Sequence, residues 1–181
     1  MDHEHSVIDA STHFYVDTAK RIIRKASAKK VMIKQYDHNS ERVMFEMDRR
    51  YVDGHDMSAC NAVEVHYSNG GNRGMYIVDD LRVSEEDADK VICSWLISRN
   101  ATQKAATIAF RLTFKCVSGE KVEYAWSTAV NNSICVSAGI DGSGAITEEY
   151  PDAIAQMQDK LDAIANTSYP VAGGLVDATV E

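Results

Sequence analysis

The stretch from Ala106 to Cys116 leaves this chain the least freedom. Ala106, Ile108, Phe110, Leu112, Phe114 and Cys116 share one parity, and Thr107, Ala109, Arg111, Thr113 and Lys115 share the other. A strand sends alternate side chains to opposite faces, so the pattern predicts one long strand with an apolar inner face and no helical rival. Val91 to Ser98 adds a second constraint. Val91, Cys93, Trp95 and Ile97 lie on one face, while Ile92 and Leu96 leave the other mostly apolar too. Such a strand needs cover on both sides, which places it in the middle of a sheet inside a packed core. The two stretches are expected to pair, with Phe110 and Phe114 near Trp95.

Shorter strands are predicted around them. His13 to Arg24 reads as a hairpin with an Asp17-led turn, an amphipathic helix over 15–25 being the competing reading. Further strands are expected over Val31 to Tyr36, at Val43, Phe45 and Met47, and at Val63, Val65 and Tyr67. Others follow over Met75 to Val78, at Val122, Tyr124 and Trp126, and over Ile134 to Val136. Asn69 to Gly74 is Gly-rich, but a phosphate cradle requires a helix behind it and a strand follows, so it reads as a hairpin loop. Short turns and no alternating helices predict a mainly β chain. We expect a flexible N-terminal arm over 1–12, then an antiparallel two-sheet β-sandwich over 13–142, followed by a C-terminal α-helix. A closed barrel is the alternative.

The period changes after Gly142-Ser143-Gly144. Tyr150, Ile154, Met157, Leu161 and Ile164 are spaced 4, 3, 4, 3, an a/d heptad seam. A helix is predicted over 147–166, with Thr147 as cap, Glu148 and Glu149 at its N-terminus and Pro151 in its first turn. A loose tail is expected over 167–181. The seam either packs back on its own sandwich or joins copies of the chain, and its five residues are the candidate self-association residues. So short a coiled coil is marginal alone, so the sandwich would have to oligomerise too.

Composition excludes several functions. The chain has 181 residues, enough for one domain with a sizeable core plus an appendage. Its net charge of 19 minus 27, or -8, argues against a general nucleic-acid binder. No apolar run approaches a membrane span, so no membrane partner is expected. The polar start Met1 to His5 is no secretory signal, and synthesis in the cytoplasm is expected. Lys20, Arg21, Arg24, Lys25, Lys29 and Lys30 form a basic run, and Glu85, Glu86, Asp87 and Asp89 an acidic loop. These are either solvated turns or complementary docking surfaces.

Catalytic chemistry has no motif behind it: there is no G-x-S-x-G and no H-E-x-x-H. Asp79-Asp80 and Glu85-Glu86 are adjacent in sequence and therefore poorly placed for paired acid–base work. Cys60, Cys93, Cys116 and Cys135 are scattered, which predicts free thiols and no zinc site. His3 and His5 on a loose end make a weak metal site. A Cys–His nucleophile could be assembled from Cys60 and His55 or His66, but nothing singles these out. The expectation is a non-enzyme with no cofactor and no metal. A carbohydrate-binding face built on Tyr67, Tyr76 and Tyr124 is the alternative function.

Several blocks together resemble a known family. They are Tyr36 to Arg42, Phe45-Glu46, Asp53 to Ser58, Val63 to Tyr67, Tyr76 to Leu81, Ile92 to Gln103, Tyr124 to Thr128, and Glu148 to Tyr150. The chain resembles small prophage proteins of Gram-positive bacteria that are similar to the N-terminal module of the phage baseplate upper protein. The resemblance covers about residues 13–160. It implies a virion structural protein of the tail or baseplate, a symmetric homo-oligomer, with a trimer favoured. Its partners would be other tail proteins, and it would anchor receptor-binding fibres. Because the sequence stops soon after the helix, the expectation is either an adaptor with its fibre on a separate chain or a capping piece, and not a full fibre.

Overall fold

The computed structural model describes residues 13–26, 31–51, 53–139 and 152–166, with side chains in the last segment from Gln156 to Ile164. Eleven strands among these residues form two facing sheets. In chain order they are β1 (His13–Asp17), β2 (Ile22–Lys25), β3 (Val31–Lys34), β4 (Arg42–Asp48), β5 (Ala62–Asn69) and β6 (Asn72–Val78). Then come β7 (Arg82–Val83), β8 (Lys90–Leu96), β9 (Thr107–Ser118), β10 (Lys121–Ser127) and β11 (Asn131–Ser137). One sheet has the order β2-β1-β4-β8-β7. The other runs β3-β11-β9-β5-β6, with β10 also paired to β9. The fold is a β-sandwich, as the strand pattern predicted.

Two turns follow directly from sequence. Asp17 opens the β1–β2 turn, its Oδ1 accepting from the Lys20 amide at 2.9 Å. This settles the 13–25 segment as a hairpin. Gly70 and Gly71 both take positive φ (52° and 95°) between Asn69 and Asn72. A two-residue hairpin turn of matching twist needs both central residues there, which favours glycine.

Two expectations are corrected. The sheets are mixed, not purely antiparallel: β1 runs parallel to β4, and β3 runs parallel to β11. Apolar alternation is identical for either direction, so the residue pattern carries no direction signal. The strands β8 and β9 are not ladder partners either. β8 lies between β4 and β7 in one sheet, and β9 is in the other. They meet across the core. Trp95 and Phe110 have ring centroids 5.5 Å apart, whereas Phe114 packs on Trp126 at 5.7 Å. Two short helical turns were not anticipated, a 3-10 turn at Met57–Ala59 and α1 (Arg99–Thr102).

The core is made by facing parities. Val43, Phe45 and Met47 of β4 sit opposite Trp95, Cys93 and Val91 of β8. Across the gap, Val63, Val65, Tyr67 and Asn69 of β5 sit opposite Phe114, Leu112, Phe110 and Ile108 of β9. All of these side chains are buried. Tyr67 stacks on Trp95 at 5.5 Å and takes a hydrogen bond from Asn100 Nδ2 at 2.8 Å. It lies across Gly74, where a Cβ would run into the tyrosine hydroxyl and the Asn100 amide.

Phe110→Ala is therefore expected to cost about 3–5 kcal/mol of stability, read from urea unfolding. Gly74→Ala is expected to lower the same midpoint, because Tyr67 must leave its stack on Trp95 to admit the methyl group.

Candidate interaction surface

Helix α2 (Asp152–Asn166) lies beside β6, an outer strand of its sheet. It docks through polar atoms. Gln156 Oε1 accepts from the Ile77 amide at 3.2 Å, and Gln156 Nε2 donates to the Ile77 carbonyl at 3.3 Å. One side-chain amide thus stands in for the next strand and satisfies an exposed sheet edge. One turn on, Lys160 Nζ lies 3.7 Å from Asp79 Oδ2. Both side chains are solvated, so this ion pair contributes little.

The apolar seam lies about 100° round the helix from that docking face. Met157, Leu161 and Ile164 are 51%, 59% and 69% exposed. Three of the five candidate self-association residues are thus placed on one exposed stripe. The other two, Tyr150 and the side chain of Ile154, lie outside the described residues, as do positions 147–151 of the predicted helix. The helix does rest on its own sandwich, with hydrogen bonds and an ion pair from its polar positions Gln156 and Lys160. Sequence spacing alone separates the seam from the rest of the helix; it could not assign Gln156 to the sheet edge.

A second constellation gathers at the end of β9. Arg49 grips Asp56 through Nε and Nη2, the shortest contact being 2.9 Å. Asp56 also accepts from the Ser58 amide at 3.0 Å and its hydroxyl at 2.6 Å, capping the 3-10 turn. The Arg49 hydrogen bond, then those of Ser58, hold the Asp56 carboxyl well below the usual carboxylate range. His55 is fixed beside it. Its amide donates to Asp53 Oδ1 at 3.0 Å, its carbonyl accepts from the Tyr51 amide at 2.9 Å, and its ring stacks on Tyr124 at 3.7 Å.

His55 Nε2 lies 3.3 Å from Cys116 Sγ, and Cys116 Sγ lies 3.0 Å from Cys60 Sγ. The three ligand atoms all fall within 4.8 Å of one another. Two of the cysteines read as scattered are therefore neighbours. The thiol that contacts His55 Nε2 is that of Cys116 rather than Cys60, while His66 turns to Glu64 at 2.8 Å. Burial, and then the Cys116 hydrogen bond, push the Cys60 thiol up, away from the thiolate a nucleophile requires. Cys60 and Cys116 are 56 residues apart and meet only through the β5–β9 register. Their positions, one just before a strand and one near the end of its partner, were the available signal.

The remaining candidates are structural. A cleft of about 290 Å³ is lined by Arg42, Asp80, Arg82 and Ser94 among others. Its polar groups are engaged internally. Asp80 accepts from the Ser94 amide at 2.8 Å and its hydroxyl at 2.5 Å, and Arg42 Nη1 donates to Ser94 Oγ at 2.7 Å. Asp79 and Asp80 turn to different partners, Lys160 and Ser94. Tyr67 and Tyr76 are buried and Tyr124 is covered by His55, so none of the three forms an open platform for a sugar. No helix among the described residues is long and apolar enough to cross a membrane.

No family model and no curated protein matches the sequence. Among solved structures, the chain is similar to the N-terminal domain of phage TP901-1 ORF48, at 14% identity and a TM-score of 0.42. The match covers 69% of this chain and 94% of that one.

Asp56 generates a prediction with a definite sign. Its carboxyl is lowered in the fold, so its stabilisation is complete above the unfolded value near pH ~4. It is lost as pH falls through the lower folded value. Asp56→Asn is expected to cost about 1–2 kcal/mol at pH 7. Urea unfolding as a function of pH should show that difference shrinking toward pH 3.

Proposed function

We propose that this chain is a non-enzymatic structural subunit of a phage or phage-like tail, a baseplate component or adaptor built into the virion. In this reading it assembles symmetrically with copies of itself, as a trimer, and anchors receptor-binding fibres alongside other tail proteins. The observation that carries the reading is the split character of α2. Its polar residues Gln156 and Lys160 face the sandwich, and its a/d residues Met157, Leu161 and Ile164 face solvent. A helix docked through its polar face and apolar on another fits a second copy of the same helix better than it fits a lone chain.

The blocks that resemble the baseplate family support the same reading. Two of them meet at a joint of the sandwich. Tyr36 to Arg42 meets the Ile97–Gln103 segment through Asn39 N to Ile97 O at 2.9 Å, Arg99 N to His38 Nδ1 at 3.1 Å and Thr102 Oγ1 to Asp37 O at 2.7 Å. These are fold-building contacts, in keeping with a protein whose work is to be a shaped part.

The test is absolute mass by light scattering. The full chain is expected to run as a trimer, and Leu161→Asp with Met157→Asp to run as a monomer with an unchanged far-ultraviolet spectrum. A monomer at high concentration for the unaltered chain would overturn the self-association claim.

A further inference from the structure

We propose that His55, Cys60 and Cys116 form a site for one zinc(II) ion, which fastens the 53–60 loop to the end of β9. The argument is geometric and does not depend on the role of α2. Zinc takes thiolate sulfur at about 2.3 Å and imidazole nitrogen at about 2.0–2.1 Å, which places ligand atoms of a tetrahedron about 3.5–3.8 Å apart. The two shorter separations here are 3.0 and 3.3 Å, and the third is within 4.8 Å. An ion at the centre requires ligand shifts of well under 1 Å from the first two values.

The donor set is selective. Two sulfurs and an imidazole suit zinc and disfavour magnesium or calcium, which prefer oxygen. The imidazole is also pre-oriented, its backbone pinned at both the amide and the carbonyl and its ring held flat against Tyr124. A bare disulfide would need no third group aimed at the same point. Cys60 is buried while His55 and Cys116 are only partly covered, so an ion can reach the site from solvent. On binding, each thiol releases its proton to water as its sulfur–zinc bond forms, and no electron is transferred.

The ion would reinforce a joint that Asn61 already bridges, its amide donating to the Lys115 carbonyl at 3.1 Å, its Nδ2 donating to the Val117 carbonyl at 2.8 Å and its Oδ1 accepting from the Val117 amide at 2.8 Å. Cys60 ends the 3-10 turn, and Cys116 sits beside Tyr124 in the β9–β10 ladder. The expected effect is therefore on stability as well as on metal content.

The experiment uses the full chain, reduced with a phosphine and freed of metal, then titrated with zinc chloride. One zinc per chain is expected by elemental analysis, with a rise of several degrees in the unfolding temperature. Cobalt(II) in place of zinc is expected to give thiolate-to-metal charge-transfer absorption. His55→Ala and Cys116→Ser, both at partly exposed positions, should each weaken zinc binding by more than about tenfold. Cys135→Ser, outside the cluster, should leave it unchanged. Three results would each overturn the site: a folded chain that takes up no zinc, affinity unaltered by Cys116→Ser, or a Cys60–Cys116 cross-linked peptide in protein prepared without added oxidant.

Discussion

Phe110 stands where the two sheets touch. Its ring lies 5.8 Å from Phe14, 6.0 Å from Phe45 and 5.5 Å from Trp95, so one β9 residue contacts β1, β4 and β8 of the opposite sheet. Aromatic contacts of this kind contribute beyond their buried area, and they also fix which parity of each strand faces inward. With Phe110 inward, Ile108, Leu112 and Phe114 follow on β9. The β5–β9 register then turns Val63, Val65 and Tyr67 inward. The remaining elements answer a different problem, which is how to finish the edges of the two sheets.

Three breaks in the ladders are closed by polar side chains. β9 passes from β10 to β11 along one side, and Thr128 fills the break. Its hydroxyl accepts from the Leu112 amide and its own amide donates to the Leu112 carbonyl, both at 3.0 Å. β7 covers only Val91 and Ile92 of β8, and the Asp80 carboxylate takes over at the Ser94 amide. Gln156 does the same for Ile77 on β6. Unpaired edges invite strand addition by another chain, so these caps disfavour association through edge pairing at the positions they cover.

The inner faces of the sandwich were legible because burial imposes a period of two, and it did so in β4, β5, β8 and β9. Which sheet each strand joins was not legible. Trp95 and Phe110 satisfy the same alternation whether they are ladder neighbours or meet face to face. The parallel placement of β1 beside β4 was hidden for the same reason. The seam on α2 could be read from spacing, since a heptad is a local pattern. The His55–Cys60–Cys116 group could not, because its members converge only after the β5–β9 register is set. Asp17 and Gly70-Gly71 show the opposite case, where turn chemistry is local enough to be read residue by residue.

Energetics limit what the exposed seam can do alone. Burying a side chain such as Leu161, Met157 or Ile164 contributes about 1.5–3 kcal/mol each. Bringing two chains together costs several kcal/mol in lost translational and rotational freedom before any contact is made. Three such residues on one helix pair therefore leave little surplus. In a three-fold arrangement each helix meets two others, so each seam residue is covered from two sides while the helices' positions are set once. Docking through Gln156 helps further, because a helix already held against β6 does not have to be ordered on association. The proposed assembly thus depends on the sandwich twice, as the platform that positions α2 and as the source of the additional contact area that a short helix lacks.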